Sequence, residues 1–160
     1  MSGDYCVRMI ERNEWEDAMA LCWSVFLECE SHLYSIEGQE NFKRFLDDET
    51  LYRVFLNGGY PVCAAFFGER IIGVAAVRSG PHLSLLFVDR NFQRRGVATA
   101  LLGYMIEYLL SRRTGLGDEK MTVNASPVGI GFYHRRGFRD TGPEQIKDGI
   151  LYTPMEIMLR

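Results

Sequence analysis

Val88-Asp89-Arg90-Asn91-Phe92-Gln93-Arg94-Arg95-Gly96-Val97-Ala98-Thr99 is the stretch on which the fold turns. A short apolar run ends at Val88, a polar loop follows, and a helical stripe opens after Gly96 through Val97, Leu101, Met105, Tyr108 and Leu109. The pattern predicts a strand that feeds through a basic loop into a helix. The first amides of such a helix have no intrahelical carbonyl to bond, and they lie at the positive end of its dipole. Gly96 has no Cβ and Ala98 only a methyl, so an anion such as a pyrophosphate can approach the backbone closely. Arg94 and Arg95 add positive charge at the same mouth. The loop lacks the Lys-Ser/Thr ending of a P-loop. Taken alone, the pattern also fits a plain helix start with two solvated arginines.

Upstream of this stretch the period is two. Val62 to Phe67 and Ile71 to Val77 read as strands joined by a turn at Gly68-Glu69, and His82 to Val88 as a third strand after Gly80-Pro81. In that third strand His82, Ser84, Leu86 and Val88 are expected on one face, and Leu83, Leu85 and Phe87 on the other. Further back, Tyr5 to Ile10 reads as a strand. Asn13 with Glu16 marks a helix start, followed by an apolar stripe from Trp15 to Phe26. A second helical stretch from Phe42 to Phe55 is interrupted at Asp47-Asp48 and ended by Asn57-Gly58-Gly59. Downstream, the helix after Gly96 ends near Ser111 to Gly117, and Met121 to Ala125 is a strand. Pro127 opens a short helix through Arg135. Two last strands, Phe138 to Asp140 and Ile150 to Leu159, flank a polar loop from Thr141 to Gly149. This order describes an α/β (α+β) chain, a mixed sheet with helices on its faces.

The 160 residues suit one domain, 1–160, with a substantial core. At 47% hydrophobic and 24% charged residues, disorder is a poor description. The formal net charge of −3 argues against a nucleic-acid binder, including one built on Arg94, Arg95, Arg112 and Arg113. The four cysteines, Cys6, Cys22, Cys29 and Cys63, form no CxxC pair and no zinc spacing with histidine, and they read as buried reduced thiols. No metal is expected. The opening Met1-Ser2-Gly3-Asp4 does not read as a signal peptide, and no apolar run reaches the ~20 residues that span a bilayer. A cytoplasmic, membrane-free protein is expected.

Two blocks then carry a family resemblance. Gln93-Arg94-Arg95-Gly96-Val97-Ala98 matches the Q/R-x-x-G-x-G/A signature of the GNAT superfamily of N-acetyltransferases. Asn124-Ala125-Ser126-Pro127, followed by Phe132-Tyr133-His134-Arg135-Arg136-Gly137-Phe138, resembles its second block. The likeness covers about residues 62 to 140; before that only the element order agrees. It implies a mixed, mostly antiparallel sheet splayed between strands four and five, often at a bulge in strand four. It implies acetyl-CoA as co-substrate, its pantetheine arm beside Phe87 and Val88, near Asn124 or Ser126. The backbone of Arg94, Arg95, Gly96, Val97, Ala98 and Thr99, following Gln93, would hold the pyrophosphate.

Tyr133 matches the family's general acid. Amine attack on a thioester expels a thiolate, and a phenol with a pKa of ~10 holds a proton ready for it. The plainer reading of Tyr133 is an aromatic packed beside Phe132. Some family members use a strand-four Glu as base; the matching position is His82, six residues before Val88. Imidazole is chemically competent, although His82 also reads as a strand-start surface residue. Asp89 is followed by Arg90 where many relatives have proline. Around His32, the acids Glu28, Glu30, Glu37 and Glu40 form either a solvated face or an attraction for a cationic acceptor. His134 is expected to be exposed. The resemblance implies acceptor loops at Ser31 to Gly38 and Thr141 to Gly149, and a small-molecule or peptide amine as acceptor. The competing functional reading is a non-catalytic acyl-CoA sensor, which would need the phosphate loop but not Tyr133. A homodimer pairing through the apolar strand Ile150 to Leu159 is the oligomeric alternative to a monomer.

Overall fold

The computed structural model describes residues 4–112 and 120–159; Arg113 and the expected helix end near Gly117 lie outside them. The elements run β1 (Cys6–Met9), α1 (Trp15–Cys29), α2 (Ile36–Leu46), α3 (Glu49–Leu56), β2 (Val62–Phe67), β3 (Arg70–Arg78) and β4 (His82–Val88). After these come α4 (Val97–Ser111), β5 (Lys120–Ala125), α5 (Ile130–Arg135), β6 (Arg139–Asp140), β7 (Gln145–Lys147) and β8 (Ile150–Met158). Short 3-10 turns sit at Arg12–Glu14, Ser31–Leu33 and Arg90–Phe92.

The sheet order is β1-β2-β3-β4-β5-β8-β6, with β7 also paired to β8. Every pairing is antiparallel except that of β4 with β5. That parallel contact holds only at His82↔Thr122 and Leu83↔Val123. Beyond it the two strands part, and the sheet opens into a wedge toward their C-terminal ends. Two cores fill the faces of the sheet. On one, α4 and Tyr133 of α5 pack over Leu83, Val88, Met121 and Val123. On the other, Trp15, Met19 and Cys22 of α1 pack over Val62, Val74 and Leu85, with Phe42, Phe45, Leu51 and Tyr52 closing the layer. Gly73 on β3 admits α4, because a Cβ there would lie 2.9 Å from Leu101 Cδ1 and 3.1 Å from Val97 Cγ1.

Local chemistry explains most boundaries. Asp48 caps α3, its Oδ1 accepting from Thr50 N at 2.7 Å, so the acidic pair at 47–48 does split the helix. Ser35 caps α2, accepting from Gly38 N at 3.0 Å, which places Ile36 to Gly38 in a helix rather than a loop. The capping pair before α1 is Glu11 with Glu14, not Asn13 with Glu16: Glu11 N donates to Glu14 Oε1 at 2.8 Å. Arg8 grips the same carboxylate through both Nη atoms, at 3.0 and 2.8 Å, which Glu16 has no partner on β1 to match.

Four further expectations are corrected. The alternation in β4 breaks at Ser84, since Ala76 pairs with Leu85 but Val77 with Leu83. Ser84 is the extra residue of a bulge, and a bulge swaps the faces of what precedes it. Leu83 therefore joins the core of Leu86 and Val88, opposite Leu85 and Phe87. The polar loop from Thr141 to Gly149 contains β7, which pairs with β8 as a hairpin. Its turn is Asp148-Gly149, both at positive φ, 54° and 80°, the combination a type I′ turn demands. β8 lies inside the sheet, between β5 and β6, so it offers no free edge for the expected dimer pairing. The cysteines are all free, but only Cys22 and Cys63 are buried; Cys6 is exposed and Cys29 intermediate. Burial pushes the Cys63 thiol up to about 12. Among the described residues no helix is long and apolar enough to cross a membrane.

Candidate active site

The wedge between β4 and β5 is a cleft of about 970 Å³. Its walls are β4, the loop and first turn of α4, the end of β5, α5, and the facing side of α1 and α2. Phe87, Val88, Gln93, Arg94, Gly96, Val97, Ala98, Thr99, Asn124, Ser126, Tyr133 and His82, all singled out from sequence, border it together. Arg95 stands outside this lining, its guanidinium 5.2 Å from the Phe92 ring centroid.

The basic end is built by the loop. Asp89 caps the 3-10 turn, accepting from Asn91 N at 2.8 Å, and its Oδ2 pairs with Arg70 at 2.7 Å. Gln93 folds back so that its Nε2 donates to Val88 O at 3.0 Å. Arg94 and Gly96 then take positive φ, 65° and 83°. Gly96 is the N-cap of α4 and supplies no side-chain cap. Ala100 N is the first amide to bond back, to Gly96 O at 3.0 Å. The amides of Val97, Ala98 and Thr99 thus stay without an intrahelical acceptor. Arg94 and Arg136 join the loop and first turn in the lining, and Arg136 Nη1 is fixed by Thr99 Oγ1 at 2.7 Å. A polyanion fits this chemistry: free donors, a positive helix end and guanidiniums. The edge of β4 beyond Leu83 has no strand partner in the wedge, so it can receive an extended amide chain as an added strand.

Tyr133 lies deeper. It is buried, in edge-on contact with Phe132 (5.3 Å) and Phe138 (5.1 Å). Burial and, secondarily, the charge of Glu30 push its pKa well above the ordinary phenol value, so it keeps its proton throughout the neutral range. His82 is half-buried at the start of β4, its Nδ1 2.8 Å from Thr122 Oγ1. Burial, then the neighbouring charge of Arg78, holds its pKa down to about 4. It is neutral at pH 7 and a weak proton acceptor.

The acid face around His32 resolves unevenly. Glu28, Glu37, Glu40 and His32 are exposed, and of the four acids only Glu30 borders the cleft. His134 is exposed too and pairs with Asp140 at 2.7 Å. The sequence does not separate Glu30 from its neighbours; it caps α1 beside Tyr34, and its place on the cleft wall near Ser126 is a tertiary fact. Asn41 was not foreseen either. It lines the cleft and donates through Nδ2 to Asp148 O at 2.9 Å, tying α2 to the β7–β8 turn. No group of three or more His, Cys, Asp and Glu among the described residues is arranged to hold a metal ion.

The family model described as Acetyltransferase (GNAT) domain matches residues 30–159. The chain belongs to the GNAT acetyltransferase family. Solved structures share the fold along nearly the whole chain. A GCN5-related N-acetyltransferase from Rhodopseudomonas palustris is 22% identical with a TM-score of 0.79, covering 96% of this chain and 95% of that one. PaiA N-acetyltransferase from Thermoplasma acidophilum, solved with coenzyme A, is 18% identical, TM-score 0.76, with coverage of 96% and 98%. YncA from Salmonella typhimurium, solved with its cofactor acetyl-CoA, is 18% identical, TM-score 0.72, with coverage of 99% and 95%. A comparison with curated proteins finds no match.

Proposed function

We propose that the protein transfers the acetyl group of acetyl-CoA to a primary amine, by direct attack within a ternary complex. The observation that carries this reading is the continuity of one cleft from the α4 N-terminus, bare of any side-chain cap, to the buried phenol of Tyr133. The first-turn amides of α4 with Arg94 and Arg136 would bind the pyrophosphate. The edge of β4 at Phe87 and Val88, facing Asn124 and Ser126, would hold the pantetheine. That PaiA and YncA were solved with coenzyme A and acetyl-CoA supports this choice of donor. Free thiols on an exposed β1 position and in the cleft suit a reducing, cytoplasmic setting.

In the reaction, the amine nitrogen forms a bond to the thioester carbonyl carbon and the carbon–sulfur bond breaks. The departing sulfur takes the phenolic proton of Tyr133, and the tyrosinate regains a proton from the newly acylated nitrogen. Holding amine and thioester together removes the entropy of a bimolecular encounter, an effect of ~7–11 kcal/mol in well-oriented systems. Tyr133→Phe keeps the packing and removes the proton. It should lower kcat by about 10²–10⁴-fold while calorimetric CoA affinity stays unchanged. Wild-type CoA binding without thiol release across a broad amine panel would favour the sensor instead.

A further inference from the structure

The acceptor half of the cleft has a composition that restricts what it can receive. Glu30 is its only acidic residue among the described residues. The surrounding wall is aromatic. Phe26 stacks on Tyr34 at 5.2 Å and meets Phe42 at 4.7 Å, and Phe42 meets Phe87 of β4 at 5.7 Å. A polyamine would leave its further ammonium groups desolvated against these rings without a carboxylate to pair them, which is costly. An amine with one charge and an apolar body pairs that charge with Glu30 and lays its body against the rings.

Glu30 is also placed to act. It caps the C-terminal end of the 15-residue helix α1, where the helix dipole disfavours a negative charge. Its Oε1 accepts from the Tyr34 hydroxyl at 3.3 Å, which orients the carboxyl. Burial raises its pKa, against the opposing pull of the Tyr34 and Ser126 hydroxyls. Its charge is felt by Tyr133 across the cleft. The other titratable or charged groups facing this space are Cys29 on α1, Tyr34 before α2, Tyr133 and Arg135 on α5, and His82 and Arg78 at the β3–β4 end. Of these, His82 is held neutral by burial.

We infer that Glu30 receives the acceptor's ammonium and takes its proton, and that the acceptor is an apolar primary monoamine seated against Phe26, Phe42 and Phe87. This rests on the acetyltransferase reading. The ammonium N–H passes its proton to a Glu30 carboxylate oxygen, which leaves a lone pair for attack, and the protonated Glu30 later returns that proton to solvent.

The test compares phenethylamine, hexylamine, spermidine and a lysine-containing peptide with wild type, Glu30→Gln and Glu30→Asp, with CoA affinity measured for each protein. Wild-type kcat/KM is expected to be higher for the two apolar monoamines than for spermidine by at least ~10-fold. Glu30→Gln should lower kcat/KM by about 10²-fold or more, abolish the acidic limb of its pH profile and leave CoA affinity intact. Glu30→Asp should restore that limb. A preference for spermidine or the peptide would overturn the assignment of the acceptor. An unchanged pH limb in a Glu30→Gln protein that still binds CoA would overturn the role of Glu30. Both outcomes presuppose wild-type turnover; its absence with every amine would instead defeat the acetyltransferase reading and this inference with it.

Discussion

Tyr60 Oη lies 2.7 Å from Ser84 Oγ, a core tyrosine bonded to the extra residue of the β4 bulge. Ser84 in turn donates to Ala76 O at 3.3 Å, so the Tyr60 hydroxyl is the donor of the pair. The bulge turns Leu83 toward α4 and leaves Leu85 and Phe87 toward α1. It stands one residue past the last β4–β5 pairing, Leu83↔Val123, where the cleft opens. Burial pushes the Tyr60 pKa well above its ordinary value, so the donor stays protonated.

Ser84→Ala leaves a buried phenol without its acceptor and should cost about 1–3 kcal/mol of stability. Tyr60→Phe should cost less, about 1 kcal/mol, because Ser84 keeps Ala76 O. The double variant should fall short of the sum, since the two share one bond. Urea denaturation of the four proteins measures all three quantities.

Gly96 takes φ 83° at the head of α4. A β-branched side chain there is strained by about 1–2 kcal/mol and stands beside the first-turn amides. Gly96→Val is therefore expected to weaken calorimetric CoA binding more than it lowers the thermal midpoint. A variant that binds CoA as tightly as wild type would remove the phosphate loop from the account.

Gly38 and Gly149 meet backbone to backbone: a Cβ on Gly38 would collide with the Gly149 carbonyl, and one on Gly149 would lie 2.6 Å from Gly38 N. The β7–β8 turn reaches the cleft wall by this contact and by Asn41. Gly38→Ala should cost about 1–3 kcal/mol and raise the acceptor KM while the KM for acetyl-CoA holds.

His82 gives the stability curve an acid shoulder. The unfolded chain takes up the imidazole proton near pH 6.5, but the folded chain resists until about 4. Between those values the unfolded state holds more protons, so stability is complete above pH 6.5 and declines as the pH falls toward 4. Thermal midpoints recorded over that window should drop for wild type and drop less for His82→Gln.

The strand, loop and helix around Gly96 were legible in sequence because short-range chemistry decides them: a period change, a glycine where the helix opens, uncapped amides. The split at Asp47-Asp48 was legible for the same reason. The faces of β4 were misread because a bulge is set by pairing with β3, which alternation does not encode. The β7–β8 hairpin had a local signal in Asp148-Gly149 between Ile146 and Leu151, obscured by the polar residues before it. Glu30 was visible only as one acid among four; what sets it apart is the approach of Ser126 and Tyr133 from a distant part of the chain, beside its near neighbour Tyr34.

The most direct measurement is the fate of a labelled acetyl group. The protein is incubated with acetyl-CoA carrying an isotopically labelled acetyl and with an apolar primary amine, and the products are read by mass spectrometry. The account predicts one labelled acetyl per amine, on nitrogen, with an equal amount of free CoA and a rate that collapses in Tyr133→Phe. Label left in acetyl-CoA, released as acetate, or carried on an oxygen would contradict it.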